Sequence, residues 1–361
     1  MWRNLIFILL FIFFSCANKT DQFSFTPIQV DKSLLVSEIG KSLEIIEVKT
    51  KYPISGTPTI RKSDHYFYLF EEGIVFSLHQ IEKSGAVRKS IDFGFDDKLN
   101  ANAITQIITQ NDSIGIITYG QQITWLNEEL EETGTEKLPF KAKVHFRKDS
   151  NTIAYTNGID DGEWDIVSYG FSSSKSYLPI DKNRYRFYNQ TFSPFSNWNG
   201  KTLFSQAFND TIYIWDQVDF KPLFQVDFGA NAVTKDRFSQ IQGAMDMLQL
   251  FNEKKYSYLL GEIYGLNGNR ILFGLSQKGN QALGLLDFNS GELKIYRGLV
   301  DNSISGINLF APQFVEDGIL YFGVSGERIL ENSDRLPDSF KHRLSNDYAN
   351  SYFIYCLELK D

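Results

Sequence analysis

The sequence predicts an all-β chain folded as a six-bladed β-propeller, closed by strands from its N- and C-terminal ends and carrying a short helical insert near 237–255. Three observations predict it. A turn-plus-strand pattern recurs six times, each copy is trailed by further short apolar stretches, and an apolar strand without a complete blade of its own stands near each end.

The repeat reads Asp or Asn, any residue, Ile or Tyr, any residue, and another apolar residue. Its copies begin at Asp64, Asp112, Asn151, Asp210, Asn269 and Asp317, with spacings of 48, 39, 59, 59 and 48 residues. Asp and Asn suit this place because their side chains bond the following amides and close a turn, while β-branched and aromatic residues fill the pleat behind them. Further apolar stretches follow, such as Gln122 to Leu126, Asp165 to Tyr169 and Ala282 to Leu286. A closing signature, Ile91-Asp92-Phe93-Gly94, is echoed by Val226-Asp227-Phe228-Gly229 and less fully by Leu286-Asp287-Phe288. A unit of about 40 to 60 residues with several short strands has the content of a blade, and six units make six blades.

The ends agree with closure. Ser351 to Leu357 reads as a strand with only four residues beyond it, and Leu43 to Lys49 reads as a strand ahead of the first complete blade. Pairing the two completes the last blade and leaves no long edge exposed.

Two segments break the pattern. Phe238, Ile241, Met245, Leu248 and Phe251 recur at intervals of three and four, the spacing of one helical face. The stretch 183–200 carries Tyr185, Phe187, Tyr188, Phe192, Phe195 and Trp198 beside Arg184 and Arg186, and reads either as a long loop or as a poorly patterned first strand.

At the amino terminus, Arg3 and the ten apolar residues Leu5 to Phe14 have the layout of a secretory signal. The run is well short of the roughly 20 residues a spanning helix needs. Phe14-Ser15-Cys16 resembles a bacterial lipobox, in which the cysteine is lipidated and becomes the new terminus; Phe13 departs from the aliphatic residue that pattern prefers. The resemblance implies a signal peptide over 1–15, a lipidated Cys16 with its tether over 16–39, and a single propeller domain over 40–361. The chain would then be anchored to the outer or inner membrane of a cell envelope, on its periplasmic or surface side. With Cys16 acylated only Cys356 remains, so neither an internal disulfide nor a cysteine metal site can form.

The formal net charge of −8 becomes more negative once Arg3 is lost, and no basic run exceeds two residues. Nucleic acid is excluded as a partner, because that affinity is supplied by clustered Lys and Arg.

The run FNDTIYIWDQVDFKPLFQVDFG, residues 208–229, places a turn, an Ile-Tyr strand, a Pro-bearing hairpin and an Asp-Phe-Gly close in succession. On it the chain resembles the six-bladed β-propeller lipoproteins of Bacteroidetes, which are similar to NHL-type propellers. The likeness covers most of 40–360 and implies a fold and an envelope location. It supplies no catalytic residues.

A search for chemistry returns little. His65, His79, His145 and His342 lie far apart and form no zinc motif, so each reads as an ordinary strand or loop histidine. The acidic stretch Asn157 to Asp165 fails as an EF-hand loop: with Gly162 at the sixth position, Ile159 and Ser168 fall where oxygen ligands are needed, leaving a solvated turn as the better reading. Neither a nucleophile elbow, a phosphate loop nor a dinucleotide fingerprint occurs, so no catalytic residue, metal or cofactor is expected. Asp112-Ser113-Ile114 and Asp210-Thr211-Ile212 resemble the O-glycosylation motif of the same phylum, although their place in the repeat marks them as turns.

The candidate ligand residues are Arg184, Arg186, Tyr188 and Trp198. Flat rings give contact area at low entropic cost, and neighbouring arginines bind carboxylates or stack on rings. Packing between blades demands aromatics as well, and both readings stand for this stretch. The expectation is a monomeric, non-enzymatic binding or scaffold module for an envelope protein or glycan. The alternative is a carbohydrate-active enzyme with its site in the axial funnel.

Overall fold

The computed structural model describes residues 23–50, 53–54, 57–72, 76–94, 103–148, 151–157, 163–170, 174–180 and 193–360. They form six blades, each with four antiparallel strands, arranged as a β-propeller, and one two-stranded parallel sheet beside them. Blade 1 is built from Thr59–Lys62, Tyr66–Glu71, Phe76–Glu82 and Val87–Phe93, and blade 2 from Ile104–Gln110, Ser113–Thr118, Gln122–Leu126 and Glu132–Lys137. Blade 3 holds Val144–Lys148, Asn151–Tyr155, Trp164–Tyr169 and Ser174–Pro179. Blade 4 holds Phe195–Trp198, Lys201–Phe204, Thr211–Trp215 and Phe220–Val226, and blade 5 Ser257–Leu266, Arg270–Gln277, Asn280–Asp287 and Glu292–Tyr296. Blade 6 takes Phe314–Glu316, Ile319–Ser325 and Ser351–Leu359 from one end of the chain and its outer strand, Gly40–Lys49, from the other.

That last pairing is the predicted closure. Ser351 stands opposite Lys49 and Leu357 opposite Leu43 in an unbroken antiparallel register. Ser351 Oγ donates to Glu47 Oε1 at 2.8 Å, which fixes the register with a polar contact at one end. Val48, Phe353, Ile354 and Leu357 are fully buried, so the seam is held by packing as well as by its ladder.

The chain ahead of the seam is also ordered. Sequence reading gives 16–39 to a tether, yet Phe23–Phe25 adds a parallel fifth strand to blade 4 and Ile28–Gln29 does the same for blade 5. Leu34–Leu35 then pairs with Leu299–Val300. Leu34, Val36 and Ile39 are buried in the largest apolar cluster, among residues of blades 5 and 6. A belt therefore crosses the outer rim of blades 4 to 6, held by the burial of Leu34, Val36 and Ile39 and by its parallel pairing, while Phe23 and Ile28 stay exposed.

Five of the six repeat copies open the second strand of their blade, but Asp210 precedes the third strand of blade 4. The equivalent position there is the Asn199-Gly200 turn, whose φ values of 49° and 75° suit a two-residue hairpin of the primed kind. The equal spacings around Asp210 were thus a coincidence of two turn signals. The extra length lies between blades 4 and 5, where the helical insert is found. Likewise Asp287-Phe288 ends a third strand, whereas Asp92-Phe93 ends an outer one.

The insert is two short helices, Lys235–Ser239 and Ala244–Asn252, and Thr234 caps the first by accepting from the Arg237 amide at 3.2 Å. The break before Gly243 rotates the second helix. Met247 and Leu250 are buried there, while Met245 and Leu248, predicted for the packed face, are 76% and 51% exposed.

At the centre of any propeller, each innermost strand leaves unpaired backbone groups facing the axis. Here the preceding blade answers them with side chains. Arg61 of blade 1 donates to Ile107 O at 3.1 Å, and Gln106 of blade 2 both accepts from His145 N and donates to His145 O, at 2.8 and 3.0 Å. Lys148 reaches Gly200 O at 2.6 Å, Ser196 Oγ accepts from Gly265 N at 2.8 Å, and Tyr264 donates to Pro312 O. Gln313 closes the circle, accepting from Ile60 N and donating to Pro58 O, each at 2.7 Å.

Candidate functional site

The ring leaves an axial cavity of about 530 Å³ whose lining comes from all six blades. Its mouth is formed by the turns after the innermost strands of blades 4, 5 and 6: Asn199-Gly200, Asn267 and Asp317-Gly318. Asp317 and Gly318 repeat the primed geometry of the blade 4 turn, at φ 49° and 73°. The turn residues are short, polar and able to adopt positive φ, so the repeat that builds the fold also builds an amide-rich rim. Asn199 Nδ2 donates to Asn269 Oδ1 at 3.0 Å, joining two of these turns.

Deeper groups are already engaged. Burial lowers the Arg61 guanidinium to about 10 against the opposing pull of Glu316, and Arg61 also stands over the Phe314 ring at 5.8 Å. Burial raises Glu316, while Lys62, 3.6 Å away, draws it back. His145 is pushed down to about 4 by burial, so it is neutral at physiological pH. Its Nε2 lies 2.9 Å from Gly120 O and therefore carries the proton, leaving Nδ1 to accept from Tyr169 Oη at 3.1 Å. Ser193 Oγ donates to Phe195 O at 3.0 Å. No lining serine stands beside a free base among the described residues.

Of the four predicted ligand residues, Arg184, Arg186 and Tyr188 lie outside the described residues. Trp198 ends the innermost strand of blade 4, lines the cavity and is half-buried. Its ring meets Phe288 of blade 5 at 5.4 Å with a 34° tilt, and its Nε1 is buried with no acceptor among the described residues. The side chain thus contributes both to the blade 4–5 junction and to the cavity wall. Cys16 also lies outside the described residues, as do 158–162 of the acidic stretch. From that stretch Asp165 accepts from Gln206 Nε2 at 3.0 Å, tying blade 3 to blade 4. Thr211 is buried, and its hydroxyl bonds Asp210 at 3.2 Å.

His65, Asp112 and Glu128 bring ligand atoms within 4.8 Å of one another at the blade 1–2 rim. His65 is exposed, and its Nδ1 bonds Asp112 Oδ1 at 2.8 Å. His79 bonds Ser90 Oγ at 2.8 Å, and burial lowers its basicity. No described helix is long and apolar enough to cross a membrane.

Sequence reasoning missed the cavity lining because it is gathered from separate blades. A usable signal was present: the residues just ahead of five of the six repeat copies, such as Arg61, Arg147 and Glu316, fall on innermost strands, the Asp210 copy being the exception.

No family model and no curated protein sequence matches the chain. Among solved structures, an exported protein of Bacteroides fragilis superposes with a TM-score of 0.71 at 13% identity, covering 94% of this chain and 99% of that one. At that identity the likeness shows the six-bladed fold alone. BamB from Moraxella catarrhalis is similar over 79% of this chain and 73% of its own, at 9% identity and a TM-score of 0.38.

Proposed function

We propose that this protein is a lipid-anchored cell-envelope binding module that holds a protein or glycan partner at the amide-rich mouth of its axial cavity. The observation that carries the reading is the state of the cavity's reactive groups. His145 is neutral and bonded at both nitrogens, Ser193 and Ser196 are committed to backbone partners, and Glu316 is paired with Lys62. What faces outward is a set of Asn and Asp turns with Trp198 behind them, which suits recognition. Arg184, Arg186 and Tyr188 are proposed to extend that surface.

Envelope location is supported by the signal-like start, by the lipobox-like Phe14-Ser15-Cys16, and by the export of the Bacteroides fragilis protein of like fold. NHL-type relationship belongs to the same proposal. The carbohydrate-active alternative needs two carboxyl groups flanking a bond, commonly about 5 to 10 Å apart. Among the described lining residues only Glu316 and Asp317 carry carboxyls, and they are neighbours in the chain.

The test combines two variants. Cys16→Ser should lose incorporation of a fatty-acid analogue and move from the membrane to the soluble fraction. Trp198→Phe retains most of the ring packing and should hold its melting temperature while weakening partner capture from envelope extract. Wild type that takes up no label refutes the anchor, and undiminished capture by Trp198→Phe removes Trp198 from the site.

A further inference from the structure

Blade 2 carries three residues in one cross-strand row, Gly115, Trp125 and Gly134, on neighbouring strands. Both cross-strand neighbours of the tryptophan therefore lack a side chain. The ring leans over Gly115, with Cζ3 2.9 Å from where a Cβ would stand, whereas around Gly134 nothing comes within 4 Å. The Gly115 side of the indole is thus packed, Arg147 stands over the ring, and the strand beside it is bare at Gly134.

This row faces blade 3, beside the smallest apolar cluster among the described residues. That cluster holds only Ile108, Ile117, Ile123 and Leu138, all from blade 2 or the loop after it, with Trp125 packed against them. Blade 3 answers with polar groups, His145 and Tyr169 bonded to each other and Arg147 reaching across. The incomplete filling leaves a cleft of about 510 Å³, within the range of about 300 to 1,000 Å³ common for ligand sites.

The walls of the cleft are ordered. Arg147 lies over the Trp125 ring at 5.1 Å and is locked there by Gln110 Oε1 at 2.6 Å and Glu136 Oε2 at 3.2 Å. Trp125 Nε1 points at the same carboxylate at 3.5 Å. Planar hydrogen-bonding groups and the Ser113 hydroxyl thus border one aromatic ring, while the Thr133 and Thr135 hydroxyls donate to Trp125 O and Glu132 Oε1. Arg147 and Glu136 neutralise each other, which disfavours a phosphate or polyacid.

We propose that this cleft is a saccharide-binding slot for a neutral oligosaccharide, one sugar ring lying on the bare floor of Gly134 beside the Trp125–Arg147 stack, its hydroxyls taken up by Glu136, Arg147 and Gln110. The slot shares Arg147 with the lining of the axial cavity but is otherwise built from blade 2, and it stands whether or not the axial mouth holds a partner. Its ligand class follows from the Trp125–Arg147 stack, the charge balance and the close juxtaposition of donors and acceptors.

Gly134 supplies a usable variant, because an added Cβ meets no atom within 4 Å and a longer side chain beyond it occupies the slot. The full-length protein is titrated calorimetrically with maltohexaose, cellohexaose, xylohexaose and mannohexaose, beside Trp125→Ala and Gly134→Leu. The expected result is saturable binding of at least one hexaose, weakened roughly tenfold or more by either change, as for a buried aromatic hot spot. Gly134→Leu should retain the parent melting temperature. Glu136→Gln should shift preference toward uronate-containing oligomers by releasing the Arg147 charge. Absence of binding to all four hexaoses at millimolar concentration overturns the proposal, as does binding that Gly134→Leu leaves unchanged. Slot-dependent capture of extended peptides instead would overturn it in favour of pairing along the free edge of Glu132–Lys137.

Discussion

Replacing Glu262 by Gln should make the protein more stable at pH 8 and leave it nearly unchanged at pH 4.5. Glu262 lies on the innermost strand of blade 5, where the pairing shifts between Leu259 and Ile263 and the intervening residues leave the ladder. Its Oε2 sits 2.7 Å from where a Cβ on Gly274 would stand, so the glycine is what admits the carboxyl group. It has no hydrogen-bond or ion-pair partner among the described residues, and burial pushes it from 4.5 up to about 7. A raised carboxyl binds its proton more tightly folded than unfolded, so its stability contribution is intact below about 4.5 and falls as pH climbs to about 7. Each unit corresponds to about 1.4 kcal/mol, which sets a ceiling of about 3 kcal/mol. The residue as a whole is only part-buried, and water reaching it reduces the expected gain for Glu262→Gln to about 1 to 2 kcal/mol. Urea unfolding of both proteins at pH 4.5, 6, 7 and 8 measures it. Free-energy curves that run parallel across that range, with no widening gap, would refute the reasoning.

Other perturbations follow from the same packing. Deleting 23–39 should lower the melting temperature far more than ordinary terminal trimming; Leu34→Ala alone should cost about 2 to 4 kcal/mol in chemical denaturation, because its side chain is completely buried. Gln313→Ala should cost about 1 to 3 kcal/mol, since it orphans Ile60 N and Pro58 O at the blade 6–1 junction. Asp301 is buried, which raises its carboxyl, but bonds from Ser305 and Ser303 outweigh that and hold it below the ordinary value. Its contribution is present above about pH 4 and lost on further acidification, so Asp301→Asn should destabilise at pH 7 by about 2 kcal/mol and flatten the acid limb of the stability curve.

The fold was legible where local chemistry and global placement coincide. Leu43 to Lys49 and Ser351 to Leu357 could be paired because both are apolar strands stranded at chain ends, and the ring makes them neighbours. Asp210 misled because a strong turn signal at a third strand outshone the Asn199-Gly200 turn hidden inside an aromatic run. The insert was visible from its period, but not the break at Gly243 that turns Met245 and Leu248 outward. The belt was unreadable for a different reason: Phe23–Phe25 and Ile28–Gln29 are too short to show alternation, and only parallel pairing with blades 4 and 5 defines them. Both cavities depend on register between distant strands. Gly115, Trp125 and Gly134 become a row only once three strands are aligned.

The central claim, that the axial mouth recognises a partner, is tested most directly by placing a photo-crosslinking amino acid at Asn197. Asn197 is exposed and lines the cavity; Gln29, exposed on the belt, serves as the control position. Irradiation of intact cells producing each full-length variant should yield a discrete adduct to one envelope protein or glycan from Asn197 and none from Gln29. Equal labelling from both positions, or none from Asn197 in a folded and membrane-localised protein, would contradict the account.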